Sequence, residues 1–111
     1  LVNIGSGLTV KDVSTTSHTC VITNTDQVKC WGANSAGQLG YGTISNNITT
    51  LPANLPTLNF GLGVSVKKIF VGSGQTCVIT SLDQVKCWGF NSSGQLGTGT
   101  QIDISTTPDL V

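Results

Sequence analysis

Cys20 and Cys30 stand ten positions apart, and so do Cys77 and Cys87. Paired cysteines either join as disulfides or hold a metal as thiolates. Zinc sites favour gaps of about two to four residues between paired cysteines, and nine residues separate each pair here. Each pair also brackets a stretch that reads as a hairpin. That makes the two cysteines cross-strand neighbours, a separation a disulfide can bridge. Four cysteines allow about three connectivities. The repeated spacing favours Cys20–Cys30 and Cys77–Cys87, each closing a small loop and adding at most about 2–3 kcal/mol. Disulfides persist in oxidising compartments, so the expected location is extracellular or at a cell surface.

The other reactive side chains form no constellation. His18 is the single histidine. A catalytic histidine needs a nucleophile or acid beside it, and Gln75 fills the same place later in the chain, so a hydrogen-bonding role is expected. Asp26 and Asp83 sit where turns are expected, and Asp12, Asp103 and Asp109 make no acid/base pair of the glycosidase kind. The Gly37-Gln38-Leu39-Gly40 segment and its later copy lack the Lys-Ser/Thr of a phosphate loop. Trp31 and Trp88 occupy equivalent places before Gly, which suits packing better than ligand stacking. No catalytic residue, metal or cofactor is expected. Two N-glycosylation triplets occur, at Asn47 and Asn91. Asn47, in a polar loop, is the candidate acceptor, whereas the Asn91 side chain is expected to be tied to backbone. The Ser/Thr run from Thr43 to Thr50 would also suit O-linked sugar, with solvated loop as the default reading.

These residues are positioned by a tandem repeat. Cys20-Val21-Ile22-Thr23 recurs as Cys77-Val78-Ile79-Thr80, and Asp26-Gln27-Val28-Lys29-Cys30-Trp31-Gly32 as Asp83-Gln84-Val85-Lys86-Cys87-Trp88-Gly89. Gly37-Gln38-Leu39-Gly40 recurs as Gly94-Gln95-Leu96-Gly97, all at an offset of 57 residues. Allowing a one-residue gap, Val10-Lys11-Asp12-Val13 matches Val66-Lys67-Lys68-Ile69. Strands are expected at Val10 to Val13, Thr19 to Thr23 and Val28 to Trp31. If Cys20 faces Cys30, then Ile22 faces Val28, because side chains alternate with period two. The turn then falls at Asn24-Thr25-Asp26, and the second copy gives the same register with its turn at Ser81-Leu82-Asp83. Asp tolerates the positive φ that such a turn requires. The polar segment with Pro52 and Pro56 leaves room for a fourth, outer strand, where Pro is tolerated. The chain reads as all-β, with two four-stranded antiparallel blades of a β-propeller.

The combination His18-Thr19-Cys20-Val21-Ile22-Thr23, Val28-Lys29-Cys30-Trp31-Gly32, and Asn34 with Gly37-Gln38-Leu39-Gly40 resembles the regulator-of-chromosome-condensation repeat family. Trp88, Gly89, Asn91, Gly94, Gln95, Leu96 and Gly97 carry the same signature in the second copy. The resemblance implies a propeller, usually of about seven four-stranded blades. The paired cysteines look like the secreted branch, since the intracellular members typically lack them. Asp26 and Asp83 depart from the family, which often has Gly in that turn. The best-known members are exchange factors for a small GTPase and bind chromatin. That role is not carried over, because the loop residues for exchange are not evident.

Charge points the same way. Only 9% of the residues are charged, all Lys or Asp, and the formal net charge is zero. Nucleic-acid binders need a basic stripe, so no nucleic-acid partner is expected. No run of about 18 apolar residues suggests a membrane span.

The expected division is 1–57 for the first repeat, with the end of a preceding repeat at 1–5, and 58–111 for the second. The ends match in pattern, so that Val111 followed by a new Leu1 would roughly continue it. Two blades cannot close the usual ring of about 4–8. The expectation is therefore a piece of a longer tandem series, or a unit that joins copies of itself, in a ring, array or filament. The alternative is a secreted propeller that binds or inhibits a partner protein. The segment from Tyr41 to Leu62 is the expected place for partner contacts.

Overall fold

The computed structural model describes residues 1–44 and 47–110, with the Leu110 side chain left aside. Each repeat folds into an antiparallel sheet of three strands. The first holds β1 (Val10–Thr15), β2 (His18–Thr23) and β3 (Val28–Gly32). The second holds β4 (Val66–Val71), β5 (Gln75–Thr80) and β6 (Val85–Gly89). Strand order follows chain order in both. Short 3-10 turns at Pro52–Asn54 and Pro108–Leu110 follow the sheets.

The register coincides with the sequence reading: Cys20 opposes Cys30, Ile22 opposes Val28, Cys77 opposes Cys87 and Ile79 opposes Val85. Thr23 N–H bonds the Gln27 carbonyl at 2.8 Å and closes a three-residue loop. Such loops place their last residue in the left-handed region. Asp26 and Asp83 occupy it, at φ 62° and 60°. A bulge between Val10 and Asp12, repeated between Val66 and Lys68, turns one lysine out of each ladder. Lys11 thereby pairs with Asp26, and Lys67 with Asp83.

The fourth strand is a correction. Among the described residues it shrinks in each repeat to one bridge, Gly32 with Ile48 and Gly89 with Ile104. The outer edge of β3 is satisfied piecemeal instead. Val28 O accepts from Leu58 N–H at 2.8 Å, and Gly32 exchanges both bonds with Ile48. Between them Cys30 N–H donates to the Tyr41 hydroxyl at 3.2 Å, with the Cys30 carbonyl 3.1 Å from the same oxygen. Burial pushes the Tyr41 phenol above its ordinary pKa, against the opposing effect of the Cys30 backbone bond. A tyrosine tip thus stands where a strand would, and the chain turns at Pro52 without building a ladder. The core lies between the two sheets and gathers Ile22, Val28 and Leu39 from the first repeat with Leu58, Phe60, Val66, Ile69, Val78 and Trp88.

Candidate functional site

Alternation gives each sheet two different faces. One carries the disulfide, with Cys20, Ile22, Val28 and Cys30 in the first repeat. The other carries the Trp, with Thr76, Val78, Thr80 and Trp88 in the second. These two faces meet in a single seam. The cysteines are disulfides in both repeats, with Cα atoms 4.2 and 4.1 Å apart. That is the short separation of a non-hydrogen-bonded antiparallel pair, about 4.5 Å. The same pairing turns the Cys30 backbone outward, toward Tyr41.

A backbone carbonyl organises the seam. Gln38 O accepts from Trp88 Nε1 at 3.0 Å and from Thr76 Oγ1 at 2.7 Å. The signature turn is shaped to deliver it. Asn34 is fully buried; its side chain accepts from Leu39 N–H at 3.2 Å and donates to Thr43 O at 3.2 Å. The Gln38 side chain folds back to accept from Ala36 N–H at 2.9 Å. Gly40 lies against the indole, where a Cβ would come within 2.8 Å of Trp88 Nε1. Phe60 meets the same ring edge-on at 5.8 Å between centroids.

His18 completes this network. Its Nε2 lies 2.8 Å from Thr76 Oγ1. The Thr76 proton is already given to Gln38 O, so Thr76 accepts here and His18 carries its proton on Nε2. Nδ1 then faces no partner among the described residues. Burial holds the imidazole below its ordinary pKa. This is a neutral tether between sheets. Toward the inner strands, Ser14 Oγ accepts from Val71 N–H at 3.0 Å, and Thr16 Oγ1 donates to Gly72 O at 2.7 Å.

Each half of the seam has an open counterpart. Val28 is 0% exposed, whereas Val85 is 68% exposed on the disulfide face of the second sheet. Ile69 is 2% exposed, whereas Val13 is 57% exposed on the Trp face of the first. Cys20–Cys30 is sealed and Cys77–Cys87 is part-exposed. Trp88 is buried and Trp31 only half-buried. Gln38 is buried and Gln95 exposed. Gly32 and Gly89 hold φ near 105° at the ends of β3 and β6 (106° and 103°), and Gly37, Gly94 and Gly97 hold φ of 72–74° in the signature turns. Leu39 and Leu96 point inward in both copies.

Asn47 is exposed. Asn91 is fully buried, donating to Ile102 O at 2.9 Å and accepting from Leu96 N–H at 2.9 Å. Ser45, within the Ser/Thr run, and Val111, at the matching end, lie outside the described residues. Among the described residues no group of three or more His, Cys, Asp or Glu could hold a metal. No helix among the described residues is long and apolar enough to cross a membrane. Sequence reasoning missed Tyr41, Thr76 and Lys29. Lys29 is buried and donates to the carbonyls of Ile4 and Pro52 at 3.0 and 2.9 Å. Thr76 and Lys29 recur in both repeats as Thr19 and Lys86, a signal that was available. Tyr41 has no such copy, since Thr98 stands at its place.

Residues 13–38 and 66–95 match the regulator of chromosome condensation (RCC1) repeat, and residues 26–79 match it across the join. The chain belongs to the RCC1 repeat family. Among curated RCC1-repeat relatives, human HERC6, a probable E3 ubiquitin-protein ligase, is 32% identical over 85% of this chain. The chain spans 9% of HERC6. Human WBSCR16 superposes with TM-score 0.74 and 26% identity, over 89% of this chain and 25% of that one. Prp20p of Saccharomyces cerevisiae, described with its binding properties to Gsp1p and histones, gives TM-score 0.77 at 14% identity, over 95% and 26%. That last likeness is one of fold.

Proposed function

We propose that this chain is a non-enzymatic extracellular scaffold: a pair of RCC1-type blades that stack with further blades into a ring, array or filament. The observation that carries the reading is the seam, which buries one face of each sheet and leaves the opposite face of each partly open, with Val85 exposed on the second sheet and Val10 and Val13 on the first, where Val21, Thr23 and Lys29 are buried. Repeat blades that bury one face only gain stability from a neighbour on the other. The histidine and four of the five lysines are occupied structurally: His18 with Thr76, Lys11 and Lys67 with turn aspartates, Lys29 and Lys86 with carbonyls. The two disulfides support an oxidising location, and the exposed Asn47 suits a glycan there.

Light scattering on the chain under non-reducing conditions tests the reading. Masses above that of one chain are expected, and a monomer at every concentration would sink it. Location has its own test. Alkylation of the native material without reduction should leave all four cysteines unmodified, and labelled thiols would remove the extracellular assignment.

A second reading, a partner-protein binder, draws on one feature. An open groove of about 540 Å³ runs beside the first hairpin turn, lined among others by Asp26, Asn59, Leu62 and Val64. Leu62 stands wholly exposed at its rim. Under that reading Leu62→Glu would abolish binding of a partner while leaving the mass of the assembly unchanged.

A further inference from the structure

The seam is a contact between two different faces, and this chain presents a partly exposed second copy of each: Val85 is exposed on one, and Val10 and Val13 on the other beside buried Val21, Thr23 and Lys29. We infer that a second copy of the chain docks head to tail: the disulfide face of the second sheet receives the Trp face of the first sheet of the next copy, and the internal seam is rebuilt between molecules. The inference deepens the scaffold reading and rests on it.

The correspondence is detailed. Gln38 O accepts from Trp88 Nε1 and Thr76 Oγ1. The equivalent groups are Gln95 O on one copy and Trp31 Nε1 and Thr19 Oγ1 on the next. Trp31 Nε1 has no hydrogen-bond partner among the described residues, and Gln95 is exposed. Gly40 lies against Trp88, whereas Gly97 has nothing within 4 Å of a Cβ position. That is the clearance a second indole requires. Val66 and Ile69 are buried in the seam, and their equivalents Val10 and Val13 are exposed. Four positions differ in chemistry. Asp12, Thr16 and His18, which reach Ile69 N–H, Gly72 O and Thr76 Oγ1, give way to Lys68, Gly72 and Gln75. Ser14, which accepts a bond from Val71 N–H, is replaced by Phe70, which is exposed. Phe70 would lie beside Thr15 of the neighbour, the equivalent of Val71, exchanging a hydrogen bond for a van der Waals contact.

Head-to-tail interfaces close into rings when the rotation allows and otherwise run on as filaments. Each copy brings two sheets. Any closed ring made of this chain alone therefore has an even number of blades.

Polarity gives the test. Val85→Glu spoils only the disulfide face, and Val13→Glu only the Trp face. Both side chains are exposed in the single chain, so both variants should fold as the parent does, as circular dichroism would register. Native mass spectrometry on the 111-residue chain should show multiples of its 11.4 kDa mass. Each variant alone should be monomeric, its association weakened by about 100-fold or more by the buried unpaired carboxylate. An equimolar mixture should give a one-to-one dimer, because each variant keeps the face that the other has lost. Oligomers that survive either substitution, or a mixture that forms no dimer, would overturn the inference and leave the scaffold reading standing. A parent chain that never exceeds one mass would overturn both.

Discussion

His18 shows how one buried group ties pH to stability. Burial lowers its folded-state pKa below the ordinary 6.5. Between the two values the unfolded chain binds the extra proton and the folded chain does not, so stability falls as pH falls. It is full above about pH 6.5, declines through that value, and levels off below the folded-state pKa. His18 is the single histidine, so denaturant melts at pH 7.5 and 5.5 isolate its effect. The His18→Gln variant, which installs the residue found at position 75, should flatten the difference. Asp83 makes a second test. It holds φ 60° at an exposed turn. Asp83→Val puts a β-branched side chain into that left-handed conformation and should cost about 1–2 kcal/mol in a chemical melt, whereas Asp83→Gly should be tolerated. Both turn aspartates were legible in the sequence, because loop length and residue type fix that conformation locally. The tautomer of His18 was not, because Thr76 comes from the other repeat.

At the level of elements, the two hairpins share a sequence but not a setting. Cys20–Cys30 is sealed in the seam, and Cys77–Cys87 is part-exposed on the outer face. Limited reduction of the monomeric Val13→Glu chain, followed by alkylation and peptide mapping, should label Cys77 and Cys87 first, with Cys20 and Cys30 reacting only as the fold opens. The edge of β3 gives another prediction. Tyr41→Phe removes the oxygen that serves Cys30 N–H and should cost about 1–2 kcal/mol, measured by urea denaturation. The equivalent position, Thr98, reaches Asn91 and not the β6 edge, so Thr98→Val should leave the Cys87 pairing alone. The hairpin registers were legible because period-two alternation and the turn fix them together. The missing fourth strand was not. Room and tolerated prolines in a polar segment do not reveal that a side-chain hydroxyl and a loop N–H will take over the hydrogen bonds of an edge.

Across the whole molecule, the seam makes equivalent glycines unequal. Gly40→Ala would drive a Cβ to 2.8 Å from Trp88 at a φ of 83°, whereas Gly97→Ala, at φ 74°, meets nothing within 4 Å. Gly40→Ala should lower single-chain stability by about 2–4 kcal/mol and Gly97→Ala by about 1–2 kcal/mol, compared by thermal or urea melts. The sequence by itself determined the repeat, the strand pairing within each hairpin, the turn aspartates and the family signature. All of these rest on contacts within about fifteen residues of chain. Only the tertiary structure decided which copy of each face is covered. Val28 and Val85 sit in the identical stretch Asp-Gln-Val-Lys-Cys-Trp-Gly, yet one is buried and the other open. Burial at a repeat face depends on what stands next to it in the array, and identical local sequences cannot encode a difference in their neighbours.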